Sequence, residues 1–86
     1  MTTDARVVIF TKPGCHLCDD LRDALSRALR DTAVAVAERS IAGNLDDFER
    51  YKHDVPVLVI DGREVARHRI ADDALKTALR AAGLVR

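Results

Sequence analysis

Cys15 and Cys18 are the two cysteines of this chain, and they share one short motif, Cys15-His16-Leu17-Cys18. Two thiols at this spacing can close a reversible disulfide, supply half the ligands of a metal site, or pack as small inert side chains. A structural zinc needs four ligands. There is no second C-x-x-C, and His16, His53 and His68 are scattered along the chain. An iron–sulfur role needs thiolates shared between two copies. Disulfide exchange needs only the pair itself, and it is the favoured reading when the motif sits beside a β-α-β pattern.

The flanking residues supply that pattern. Ala5 to Phe10 is an apolar run containing Val7, Val8 and Ile9, and β-branched residues without alternation predict a strand covered on both faces. Thr11 to Gly14, with Pro13-Gly14, reads as a loop. A helix follows over about His16 to Asp31, because Leu17, Leu21, Leu25 and Leu29 recur every four residues with Ala24 and Ala28 beside them. Asp19, Asp20 and Asp23 lie early and Arg27 and Arg30 late, which complements the helix dipole. The motif thus falls where a strand hands over to a helix. The first helical turn carries unpaired N–H groups and about half a unit of positive charge, so Cys15 is predicted to ionise below the value of about 8.5 of a free thiol. Lys12 adds a cation, while Asp19 and Asp20 oppose it. The spacing assigns roles: Cys15, at the helix start, attacks a substrate disulfide, and Cys18, one turn on and more buried beside the leucine stripe, resolves the mixed disulfide. His16 either tunes Cys15 or donates to a bound partner or substrate, or else is an exposed first-turn residue, the commoner case. Lys12 either meets a substrate anion or is a solvated lysine. His53 and His68 read as surface residues.

The rest of the chain adds further strands and helices. Ala33 to Ile41, with Val34 and Val36, reads as a second strand. Gly43-Asn44 offers a break and an N-cap before a short helix with Leu45 and Phe48 inward. Val55 to Ile60 is a further strand, with Pro56 at its start, where a missing N–H is tolerated. By base rate alone the Val55–Pro56 bond is trans. Asp61-Gly62 is a hairpin signal, so Arg63 to His68 returns antiparallel, with Arg67 and Arg69 suited to an exposed edge. The last helix carries Leu75, Ala78, Leu79 and Ala82 at helical spacing, with Asp72 or Asp73 as its cap and Gly83 as its stop. The order is βαβαββα, an α/β fold, and its first half predicts parallel strands with a right-handed crossover.

Composition narrows the function. At 86 residues and 9.5 kDa the expectation is one domain spanning residues 1–86. Fourteen basic residues balance fourteen acidic ones, and only three aromatics are present, which gives no electrostatic case for nucleic acid. No run approaches the roughly 18 apolar residues of a membrane span. The start, Met-Thr-Thr-Asp-Ala-Arg, lacks the apolar stretch of a signal peptide. The cytoplasm is the expected location, where disulfides are transient and catalytic. A monomer with no bound cofactor and no metal is expected.

Val7-Val8-Ile9-Phe10-Thr11-Lys12-Pro13-Gly14-Cys15-His16-Leu17-Cys18 resembles the first strand and active-site loop of glutaredoxins. Val55-Pro56-Val57-Leu58 before Asp61-Gly62 is similar to the family's Val-Pro element and hairpin, and Ile70-Ala71-Asp72-Asp73-Ala74-Leu75 to its last-helix start. The Cys-His-Leu-Cys version is most similar to a group of short bacterial glutaredoxin-like proteins. The resemblance implies a thioredoxin fold, a four-stranded mixed sheet with helices on both faces, and a cis peptide before Pro56 that faces Cys15. It also implies a glutathione groove: Lys12 meets a carboxylate, Val55 pairs its backbone with the cysteinyl unit, and Asp72 or Asp73 receives the γ-glutamyl end. Three features depart from the family pattern. His16-Leu17 replaces the usual Pro-Tyr, Arg69-Ile70 stands near the place of a Gly-Gly, and Asp54 occupies the usual threonine position. The expected activity is dithiol–disulfide exchange on a disulfide-containing protein or glutathione, with glutathione or a reductase as electron donor. The alternative is a protein-binding or redox-sensing module with little turnover.

Overall fold

The computed structural model describes residues 5–85. The elements are β1 (Val7–Thr11), α1 (His16–Ala28), β2 (Val36–Ser40), a single 3-10 turn (Ile41–Gly43), α2 (Leu45–Tyr51), β3 (Val57–Ile60), β4 (Arg63–Arg67) and α3 (Asp72–Ala81). They form a four-stranded sheet in the order β2-β1-β3-β4. β2 runs parallel to β1, with Ile9 opposite Glu38, and β3 runs antiparallel to β1, with Ile9 opposite Leu58. β4 closes the other edge through a hairpin whose register shifts between Leu58 and Val59. This is the four-stranded mixed sheet that the resemblance to glutaredoxins implies, with the parallel pair and the antiparallel hairpin that the βαβαββα order predicts. Among the described residues no helix is long and apolar enough to cross a membrane.

Alternation along the central strands divides the core in two. Val7, Ile9, Leu58 and Ile60 point to the face covered by α1 and α3, where they pack with Leu21, Leu25, Leu29, Leu75, Leu79 and Leu84. On the second cluster, Val55, Val57, Ile41 and Tyr51 gather around Cys18, with Phe10, Cys15 and Val59 packed against them. β1 is therefore sealed on one face and only half-covered on the other, because α2 has seven residues and cannot roof the whole strand.

Several boundaries differ from those read in the sequence. Thr11 belongs to β1 rather than to the loop, and its side chain is buried. α1 ends at Ala28, with Leu29 as its C-cap but still in the core. β2 is confined to Val36–Ser40, five residues pairing with the five of β1, and Ile41 passes into the 3-10 turn. Asn44 does cap α2, its Oδ1 accepting the Asp47 N–H at 3.0 Å. Leu45 and Phe48 do not point inward: they are 75% and 40% exposed, while Tyr51 is 6% exposed. The ring of Tyr51 lies 4.8 Å from that of Phe10, and Asp47 on the same helical face reaches Arg39 of β2. These two contacts, four residues apart, set the rotation of α2 and turn Leu45 and Phe48 outward.

The Asp61-Gly62 turn has φ of +51° and +80° at its two residues, as a tight primed hairpin turn requires. Arg6 fastens it, donating to both Asp61 oxygens at 2.6 and 2.7 Å and to the Ala82 carbonyl at 2.8 Å. Neither Asp72 nor Asp73 caps α3. Ala71 occupies the N-cap without a side-chain bond, and the two aspartates stand in the first turn, where they complement the dipole instead. Past the C-cap Ala82, Gly83 N–H donates to Arg80 O and Leu84 N–H to Leu79 O, a Schellman end.

Candidate redox site at the start of the first helix

β1 delivers the chain to the site and Gly14, at φ +75°, turns it into α1. Cys15 is the N-cap of α1, in extended conformation, and its Sγ accepts the Cys18 N–H at 3.1 Å. A sulfur in this position satisfies one of the orphan donors of the first turn, and the dipole favours negative charge on it. The Cys15 and Cys18 sulfurs are in disulfide contact, with the Cα atoms 5.2 Å apart. Cys15 is half-buried, whereas Cys18 is 1% exposed beneath it. The Val55–Pro56 peptide is cis, and both residues are buried, Val55 in the same apolar cluster as the cysteines.

Two concavities flank the first turn of α1. One, of about 290 Å³, is lined by Cys15 and Lys12 together with Thr11, Asp19, Arg22 and Glu38. There Arg22 bridges Asp19, at 2.6 Å, and Glu38, at 3.0 Å through Nε with a second short bond from Nη2. Thr11 Oγ1 donates to Glu38 at 3.2 Å. The hydrogen bonds of Arg22 hold the Glu38 carboxyl below its ordinary range and outweigh the opposing cost of burial. Those of Glu38 and Asp19 raise Arg22 in turn. The other concavity, a groove of about 570 Å³, has Leu17, Leu21, Ala24 and Ile70 among its lining, with Asp20, Arg69 and Asp72 at its rim.

Lys12 is exposed at the mouth of the first concavity, its Nζ 3.5 Å from the Lys52 carbonyl. His16 is exposed on the first turn of α1. Asp72 lines the groove with Leu17, away from the cavity that Cys15 lines, and Asp73 is exposed. The structure thus brings Cys15, Cys18 and Val55 into one cluster and puts Lys12 on the Cys15 cavity; Asp72 is separate. Among the described residues no group of three His, Cys, Asp or Glu side chains is placed to hold a metal ion.

Contacts that the sequence does not show also shape the site. Arg22 and Glu38 meet only because β2 pairs with β1. Asp19-x-x-Arg22 is visible as a helical i,i+3 pair, but its third member is not. Asp54, next to Val55, binds Arg67 at 2.6 Å and lies 3.4 Å from His68 Nε2. His68 N–H donates to the Pro56 carbonyl at 2.9 Å and to that of Asp54 at 3.3 Å. To do so His68 takes φ +62°, a conformation that costs a non-glycine residue roughly 1 kcal/mol. Arg67 is exposed on the edge strand β4, as expected, and it also pairs with Glu64 and lies over the Tyr51 ring at 5.8 Å.

Fold and site together define a thioredoxin-fold protein with a paired-cysteine redox motif. Residues 6–80 match the family described as Glutaredoxin-like domain (DUF836). A glutaredoxin-like protein of Dictyostelium discoideum is 33% identical over 72 residues, which span 77% of this chain and 67% of that one. Among solved structures, protein XcR50 of X. campestris superposes with a TM-score of 0.73 at 28% identity, covering 87% of this chain and 96% of that one. A mutant thioredoxin from Halobacterium salinarum superposes with a TM-score of 0.60 at 28% identity, covering 92% and 76%. The chain belongs to the glutaredoxin-like family of the thioredoxin superfamily.

Proposed function

We propose that the protein is a dithiol–disulfide oxidoreductase. The Cys15 thiolate attacks one sulfur of a substrate disulfide, forming a mixed disulfide and releasing the other half as a thiolate. Cys18 then loses its proton and attacks the Cys15 sulfur, releasing the second half and leaving the Cys15–Cys18 disulfide. Two electrons from glutathione or from a reductase restore the dithiol. The substrate is a disulfide of a protein or of glutathione. The observation that carries this reading is the placement of the two sulfurs: Cys15 half-exposed as the N-cap of α1, and Cys18 sealed below it within bonding reach.

The test is turnover of a model disulfide by the reduced protein, with glutathione plus glutathione reductase and, separately, with thioredoxin reductase. Cys15→Ser lowers turnover roughly a thousandfold or more, as loss of a nucleophile does. Cys18→Ser accumulates the mixed disulfide, detected by intact mass. If Cys15→Ser keeps the original rate, the mechanism is wrong. If the parent protein turns over with neither donor, it acts as a binding or sensing module instead.

A further inference from the structure

Two carboxylates line the cavity that opens at the attacking sulfur, although a thiolate is repelled by negative charge. Asp19 stands four residues beyond Cys15 on α1 and Glu38 comes from β2, and both line the cavity that opens at Cys15. A single guanidinium holds both. Arg22 donates to Asp19 Oδ1 at 2.6 Å and forks onto both oxygens of Glu38, the third donor to Glu38 being Thr11 Oγ1. The other charged or titratable groups beside Cys15 are Lys12 from the preceding loop, His16 next along α1, and Tyr51 from α2 in the apolar cluster. Lys12 is 3.5 Å from a backbone carbonyl and in no ion pair among the described residues. Arg22 and Lys12 together balance Asp19 and Glu38 on the cavity wall, and of the two cations Arg22 is the one in contact with the carboxylates.

We propose that Arg22 is a positioning residue for Cys15: by tying down Asp19 and Glu38 it keeps the sulfur's cavity near neutral, and so sets the pH at which Cys15 becomes nucleophilic. Arg22 acts through the two carboxylates. Charges separated by several ångströms across a partly solvated cavity interact appreciably, and physiological salt largely screens them only beyond about 8 Å. The inference deepens the disulfide-exchange reading and rests on it for its purpose, but its measurement needs no turnover.

The experiment follows the ultraviolet thiolate absorbance of Cys15 against pH in the full chain, on a Cys18→Ser background so that one thiol titrates. Arg22→Gln uncovers two carboxylates and moves the midpoint up by about half to one pH unit, a three- to tenfold loss of thiolate below the midpoint. Glu38→Gln removes one carboxylate from the fork and moves it down. Arg22→Lys keeps most of the parent midpoint. About 1 M salt compresses both shifts. A merely structural role would disturb the α1–β2 contact in both variants and move both midpoints the same way. That result, or no movement in either, overturns the proposal. If Arg22→Gln does not fold, Glu38→Gln alone decides: a lower midpoint supports the proposal and an unchanged one ends it. Shifted midpoints without turnover in the parent would leave Arg22 in its role and remove disulfide exchange; turnover with unmoved midpoints would do the reverse.

Discussion

The first turn of α1 has two unlike sides. On the Cys15 side, Asp19, Arg22 and Glu38 are paired with one another at close range and Thr11 completes the set. On the Leu17 side, the groove has apolar Leu17, Leu21, Ala24 and Ile70 in its lining and is bordered by Asp20, Asp23, Arg27, Arg69 and Asp72. Among the described residues none of these five makes an ion pair. The contrast has a geometric origin. α1 and β2 are both locked to β1, so a helix side chain and a strand side chain meet at fixed distance. The groove lies between α1 and the segment leading into α3, which share no strand pairing to fix their side chains against one another. The paired side thus lines the cavity of Cys15, and the open side is a separate groove with apolar residues in its lining.

Four measurements sharpen or break this contrast. The largest effect is expected at Leu21, which belongs to the buried core and lines the groove as well. Leu21→Ala lowers stability by about 2–4 kcal/mol in urea unfolding, through lost burial and the cavity left behind. A loss below about 1 kcal/mol would mean that the groove floor is not core. Next, Thr11→Val keeps the shape of a buried side chain but removes its bond to Glu38, and costs about 0.5–1.5 kcal/mol.

Acid provides a third, smaller effect. The folded Glu38 carboxyl lies below its unfolded value because Arg22 binds it. Its contribution is therefore complete above the unfolded value of about 4.5 and is lost as pH falls through the lowered folded value. Glu38 is 39% exposed, so solvent screening keeps the loss under about 1 kcal/mol. Glu38→Gln flattens the stability–pH curve in that acid window; an unchanged slope would mean that the Arg22 pair is not held in solution. Smallest of all is Arg69→Ala, at a groove-rim residue with no ion pair among those described. Its stability stays within about 0.5 kcal/mol of the parent, and a larger loss would show that the groove charges are engaged after all.

Local rules made much of this legible in advance. The cysteine pair at a strand–helix junction, the leucine stripe of α1, the Asn44 cap, the Asp61-Gly62 hairpin and the Gly83 stop each depend on a few neighbouring residues, and each stands where the chain's pattern places it. The misreadings share a cause. Leu45 and Phe48 have the composition of an inward face, but Tyr51 against Phe10 and Asp47 against Arg39 decide the rotation of so short a helix. Asp72 and Asp73 have the chemistry of caps, but Ala71 takes the position, because the helix starts where the segment after β4 delivers it.

By itself, then, the sequence determined where the paired cysteines lie, the order of the elements and the βαβ start that sets Cys15 at a helix terminus. Periodicity, turn chemistry and capping act over a few residues, and they are written into adjacent positions. Only the tertiary structure decided that Arg22 would meet Glu38, that Thr11 would bond to Glu38 from 27 residues away, and that His68 would turn to hold the carbonyls on either side of Val55. Those contacts depend on strand register and on packing between distant segments, which no short stretch of sequence contains.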